Sequence, residues 1–211
     1  MESLQFISWC LEHLNYWTIT LLMIIESSFI PFPSEVVIPP AAYLAAEGEM
    51  SFSLVLLFGT IGALIGASIN YFLAYYLGRP LIYKFASSKL GHLFLLDEHK
   101  VKVAEDYFVK NGAISTFIGR LLPAVRQLIS IPAGLAKMKF SKFVVYTTIG
   151  AGIWNLILAM IGYSLQSVVP KDQLMDKVHL YSGEISFIIV AIVALVVGYL
   201  IYNAFIRKKK I

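Results

Sequence analysis

Gly119–Met138, GRLLPAVRQLISIPAGLAKM, sets two arginines and two prolines inside a stretch otherwise as apolar as a membrane span. Arginine near a bilayer centre costs roughly 2.5–3.5 kcal/mol on insertion scales. Proline inside a helix costs about 3 kcal/mol, because its ring clashes with the preceding turn and one backbone hydrogen bond is lost. A helix facing lipid has no use for either. The stretch reads instead as a broken element whose freed backbone groups and charges face protein, water or an anion.

The rest of the 211 residues agrees with a membrane setting. Hydrophobic residues make up 58% and charged residues 14%, with mean hydropathy +0.75. Soluble domains hold roughly 45–50% apolar residues. Phe52–Leu77, Phe143–Pro170 and Ile185–Ile206 carry no charge, and each exceeds the ~20 residues that cross a bilayer. The expectation is a single all-α polytopic membrane domain over residues 1–211. Cys10 is the one cysteine, so an intramolecular disulfide is excluded. The start, MESLQFISWC, has an acid and no base, unlike a cleavable signal peptide. The net charge of +4 follows the two sides of a membrane rather than a nucleic-acid surface.

Met1–His13 reads as a short amphipathic segment at the interface, with Trp9, Tyr16 and Trp17 suited to the headgroup belt. Leu14–Ile25 is uncharged but too short to cross ~30 Å of hydrocarbon. Glu26 ends it, and Pro31, Pro33, Pro39 and Pro40 then interrupt the chain around Glu35. Thr18–Ala46 is therefore expected to be a helix–break–helix hairpin that enters the membrane and turns back. Phe52–Leu77 is the first full span, with Gly59, Gly62 and Gly66 spaced for close packing and Asn70 in need of a partner. Leu81–Asn111 reads as surface helices. Ala113–Ala136 holds the arginines, with Pro123 and Pro132 as its breaks. Phe143–Leu165 is the second span, and 185–206 the last.

Basic residues give the orientation. Six lie in Arg79–Lys110, three in Lys137–Lys142 and four in Arg207–Lys210, against two in Val168–Gly183. The first three groups, with the carboxyl terminus, are predicted cytoplasmic, and Glu47–Ser51 and Val168–Gly183 external. Ala113–Ala136 then starts and ends on the same side, so it is re-entrant. The two halves also align. Met50–Gly66 (MSFSLVLLFGTIGALIG) runs without gaps against Met138–Trp154 (MKFSKFVVYTTIGAGIW), and Phe29–Pro39 parallels Leu121–Pro132. Residues 18–77 and 113–165 thus form a repeat whose spans point in opposite directions, a recurring transporter plan.

Glu26 and Glu35 come from one hairpin, Arg120 and Arg126 from the other. Inside a low-dielectric bundle each needs an opposite charge or a water-filled cavity. Two guanidinium forks converging on one pocket suit a phosphate. A carboxylate beside them can alternate between pairing with arginine and taking a proton. The structural alternative is that each arginine only clamps a glutamate to hold the hairpins together. Asn70 and Asn155 read as helix–helix hydrogen bonds. His13, His92, His99 and His179 share no spacing and fall in polar stretches, so neither a metal site nor a cofactor is expected.

These residues resemble the DedA family, also called SNARE-associated or VTT-domain membrane proteins. The resemblance rests on Gly119-Arg120-x-x-Pro123-x-x-Arg126, the following Ala133-Gly134, Met138 and Phe140, the Tyr76-x-Gly78-Arg79 turn, and Glu26 with Pro33-Ser34-Glu35. It spans about Glu26–Tyr163. It implies opposed re-entrant hairpins and lipid translocation, in bacteria the recycling of undecaprenyl phosphate in dependence on proton-motive force. It also implies that Arg120 and Arg126 bind substrate and that Glu26 and Glu35, the latter often Asp in the family, couple to protons.

The resulting expectation is a flippase for a lipid phosphate in the bacterial inner membrane, with lipid and protons as partners and no nucleic acid. A homo-oligomer is compatible with this plan. A non-directional scramblase or small-ion transporter using the same cavity is the alternative. A phosphatase is disfavoured, because no histidine falls in a predicted membrane segment.

Overall fold

In the computed structural model, residues 9–10, 13–28, 34–78, 80, 98–122 and 125–170 are described, with isolated positions from 173 to 191. Most of the expected last span 185–206 and the prolines Pro31, Pro33 and Pro123 lie outside this description. All regular elements among the described residues are helical.

Helix α1, Tyr16–Glu26, begins where Asn15 caps it. The Asn15 side chain accepts from the Trp17 and Thr18 N–H groups, and the Thr18 hydroxyl accepts from the Asn15 N–H. That reciprocal arrangement satisfies donors a helix start otherwise leaves open. A 3-10 turn, Ser34–Val36, precedes helix α2, Ile38–Ala46. Pro39 and Pro40 fall in the first turn of α2, where a backbone N–H has no intrahelical partner to lose. Pro39 therefore opens a helix.

Helix α3, Phe52–Leu73, runs on through a π-helical turn at Ala74–Gly78. Helix α4 is Glu98–Leu121, α5 is Ser130–Leu135 and α6 is Phe140–Leu165. Pro132 stands in the first turn of α5, as Pro39 does in α2. Helix α4 departs from the sequence reading, which divided it near Asn111. Its charged first half and apolar second half are one continuous helix, since no proline interrupts Glu98–Leu121 and Gly112 alone does not end a helix.

Among the described residues two helices, Phe52–Gly78 and Phe140–Leu165, are long and apolar enough to cross a membrane. Their faces are inverted relative to a soluble helix. On α3 the exposed residues include Leu57, Ile61, Ile65 and Ile69, while Gly59, Gly62, Gly66 and Asn70 are buried. On α6, Val145, Ile149, Ile153 and Met160 face outward, and Gly150, Trp154 and Asn155 inward. An apolar outer stripe around a small and polar inner one suits lipid as solvent.

Helix α1 packs on α3 and α4 on α6, whereas α2 packs on α6 and α5 on α3. The two long helices also touch each other. Small residues permit these approaches. A Cβ on Gly62 would fall 2.5 Å from the Thr20 carbonyl oxygen of α1, and one on Gly150 would fall 2.6 Å from the Arg120 Cβ of α4. Gly162 of α6 meets the Pro39 backbone of α2, and Gly134 of α5 meets Tyr71 and Ala74. Ile19, Leu22, Ile38, Val55, Trp154 and Leu158 fill one core. Tyr71, Phe108, Ile129 and Phe143 fill a second, with the Tyr71 and Phe143 rings stacked at 4.7 Å. The Tyr71 hydroxyl donates to the Met138 carbonyl and ties α3 to the start of α6.

Candidate functional site

Between the two cores the helices leave a polar layer. Glu26 is the last residue of α1, Glu35 the middle of the 3-10 turn, and Arg120 lies in the last turn of α4. Arg126 follows in the turn region before α5. All four are buried, at 3%, 8%, 3% and 7% exposure respectively. Four charges removed from solvent demand partners, since an unpaired buried charge costs several kcal/mol on the order given by ion desolvation.

The structure brings three of them into contact. Arg126 Nη2 lies 3.0 Å from Glu26 Oε1 and 3.2 Å from Glu35 Oε2. One nitrogen thus serves two carboxylates. The contact with Glu35 has hydrogen-bond geometry. That with Glu26 Oε1 is an ion pair without it. The Ser27 hydroxyl donates to Glu26 Oε2 at 2.7 Å. Helix direction sharpens the demand on Arg126, because Glu26 sits at the carboxyl end of α1, where the backbone dipole disfavours an anion. The opposite holds for Arg120, a cation at the carboxyl end of α4.

Arg120 is placed differently. Its Nη2 donates to the Ser130 hydroxyl at 2.6 Å, and among the described residues no carboxylate pairs with it. The Nε atoms of both arginines are buried without an acceptor among the described residues. Arg126 also lies against an aromatic face, its Cζ 5.4 Å from the centre of the Trp154 ring. Glu26, Ser27, Ser34, Arg120, Arg126 and Trp154 line one cavity of about 10 Å³, room for about one water.

Asn70 joins two helices, as its sequence reading expects, and reaches the segment before α5 as well. From α3 its Nδ2 donates to the Ser27 carbonyl at 3.0 Å and to the Gln127 carbonyl at 3.5 Å. These carbonyls directly follow Glu26 and Arg126, so Asn70 sets the register of both charged segments. Asn155 bridges helices too, donating to Thr60 Oγ1 at 3.4 Å. His13 is exposed and bonds to the Trp9 carbonyl, and among the described residues no three of His, Cys, Asp and Glu come together. His92 and His179 lie outside the described residues. Ser27, Ser130 and Trp154 escaped the sequence reading, and Ser34 entered it only as part of Pro33-Ser34-Glu35. A lone tryptophan amid the small residues of α6 was a signal for Trp154. Nothing in spacing pointed to the serines.

Comparison with known proteins identifies the family. The VTT domain pattern matches residues 30–164. Undecaprenyl phosphate transporter A of Bacillus subtilis is 32% identical over 191 residues, 90% of this chain and 90% of the relative. Its namesake in Staphylococcus aureus is 30% identical over 188 residues, 89% of this chain and 91% of the relative. A Lactococcus lactis protein named alkaline phosphatase-like is 36% identical over 155 residues, 74% of this chain and 72% of the relative. No solved structure matches the chain. With two apolar membrane-length helices, a buried set of two acids and two arginines, and a domain match over most of its length, the chain belongs to the VTT-domain, or DedA, family of membrane proteins.

Proposed function

We propose that this protein flips a lipid phosphate, of the undecaprenyl phosphate class, across the bacterial inner membrane with proton coupling. The observation that carries the reading is the division of labour between the arginines. Arg126 is shared by Glu26 and Glu35, while Arg120, equally buried, donates to Ser130 and has no carboxylate within ion-pair distance among the described residues. The arrangement can exchange partners. A phosphate presented to Arg120 and Arg126 supplies bidentate acceptors to both guanidinium groups. A carboxylate it displaces is left in an apolar site and is neutralised by a proton rather than kept as a bare charge. Each headgroup bound then takes up a proton from the acidic outer side and releases it to the cytoplasm, which drives the headgroup inward. The tail stays in the bilayer.

The architecture assigned to this function is two opposed re-entrant hairpins, Thr18–Ala46 and Ala113–Ala136, in an inverted repeat of 18–77 and 113–165. The crossed packing supports it. In each half the first helix lies on its own long helix and the second on that of the other half. Gly62 and Gly150, aligned in the two halves, each receive a first helix. Ala74 and Gly162, aligned on the same register, meet Gly134 and Pro39. The placement of basic residues supports a cytoplasmic carboxyl terminus.

The test is transport of a defined polyprenyl phosphate in vesicles holding the purified protein, with and without an imposed pH gradient. The expected result is headgroup translocation accelerated by an acidic exterior and abolished by Arg120→Ala or Arg126→Ala. Normal transport by either variant refutes the site. Transport indifferent to the gradient supports the scramblase instead, and phosphate released into the medium supports an esterase.

A further inference from the structure

We infer that Trp154 is a headgroup-binding residue, its indole N–H donating to the phosphate and its ring holding Arg126 in place. The inference rests on the lipid-phosphate reading and adds a neutral donor to the two cations. Trp154 is 2% exposed, yet its Nε1 is buried without an acceptor among the described residues. A buried N–H left unpaired is unfavourable, and native structures rarely keep one without a ligand or water in view. This one belongs to a side chain that lines the same small cavity as Arg120, Arg126 and Glu26. Two of those neighbours also leave a buried donor without an acceptor among the described residues, Arg120 Nε and Arg126 Nε. Three unused donors around one cavity, two on cations and one on an indole, are complementary to an oxyanion with several acceptor oxygens.

The ring has a separate role. Arg126 Cζ stands 5.4 Å from its centre, within the range where an aromatic face attracts a guanidinium. When a phosphate replaces the carboxylates, that contact remains and keeps the fork aimed at the cavity. A tryptophan supplies both the face and the donor. Phenylalanine supplies only the face.

The chain has three tryptophans, and Trp9 and Trp17 are exposed. Replacing both by Phe leaves Trp154 as the only indole reporter in the full-length protein. Titration in detergent with farnesyl phosphate should change its fluorescence saturably, with little response to farnesol and a weaker one to inorganic phosphate. A response to farnesol equal to that of farnesyl phosphate, or none to any of the three, overturns the inference. Inorganic phosphate matching farnesyl phosphate in affinity would keep the donor role but identify a free anion as ligand. Binding by calorimetry separates the roles. Trp154→Phe should raise the farnesyl phosphate Kd about tenfold, the loss of one hydrogen bond to a charged group, and Trp154→Leu should raise it further. Unchanged affinity in Trp154→Phe, with binding lost in Arg126→Ala, sinks the tryptophan alone. Unchanged affinity in both sinks the site itself.

Discussion

The acidic region, formed by α1, the Ser34–Val36 turn and α2, and the basic region, formed by α4, the turn after it and α5, share one packing scheme and opposite chemistry. Each sends its first helix against a glycine of one long helix and its second against the other long helix. The first contributes two carboxylates to the centre, the second two guanidinium groups. Packing can be duplicated because it depends on small residues at matched positions. Charge cannot, because like charges buried together repel and remain unpaired. Between the regions, Arg126 therefore carries the pairing of both buried acids, while Arg120 is held by Ser130 of its own region. The same dependence provides the chemistry, since parting the regions frees both the acids and the cations.

The largest effect is expected from Arg126→Ala, which strips the shared cation from two buried carboxylates. Thermal unfolding in detergent should register a loss of about 3–5 kcal/mol, and vesicle transport should fall to background. Adding Glu35→Gln should restore part of the stability and none of the transport. No recovery would mean that Glu35 bears no charge against Arg126.

Arg120→Met sharpens the contrast between the two cations. It orphans no carboxylate among the described residues, so stability should stay within about 1 kcal/mol of the parent or rise. Transport should still be lost. Destabilisation as deep as that of Arg126→Ala would show that both arginines serve the acidic region.

A third pair addresses packing. Gly62→Ala and Gly150→Ala should each cost about 1–3 kcal/mol by overpacking. Gly152→Ala, where the nearest atoms stand 3.9 Å away, should gain up to about 1 kcal/mol from helix propensity. If only one of the first two is harmful, the equivalence of the halves fails.

The smallest effect is expected from Asn70→Ala, which removes donated bonds to the Ser27 and Gln127 carbonyls. A loss of about 1 kcal/mol should accompany a few-fold slower transport at normal abundance in the membrane. A transport rate equal to the parent would show that the two charged segments hold their register without it.

Much of this was legible before any coordinates. Arginine and proline are costly in a lipid-facing helix, so Gly119–Met138 announced an interior element, and long uncharged runs announced the two apolar helices. The four charged residues stood out by the same logic, as costly groups in apolar surroundings. Helix α4 was misdivided because a change from charged to apolar composition resembles a boundary while the backbone carries no signal to stop. Pro39 and Pro132 each stand in the first turn of a short helix, a placement the sequence alone does not distinguish from a helix interior.

By itself the sequence determined the membrane setting, the small-residue faces and the presence of two acids and two bases inside, because these follow from transfer energies of single residues and short-range spacing. Only the tertiary structure decided who pairs with whom. Arg126 with both glutamates, Arg120 with Ser130, Trp154 under Arg126 and Asn70 across both charged segments join residues far apart in the chain, 91 positions for Arg126 and Glu35. Such contacts depend on how helices cross and on a cavity too small for more than a water, and neither is written in any local stretch of chain.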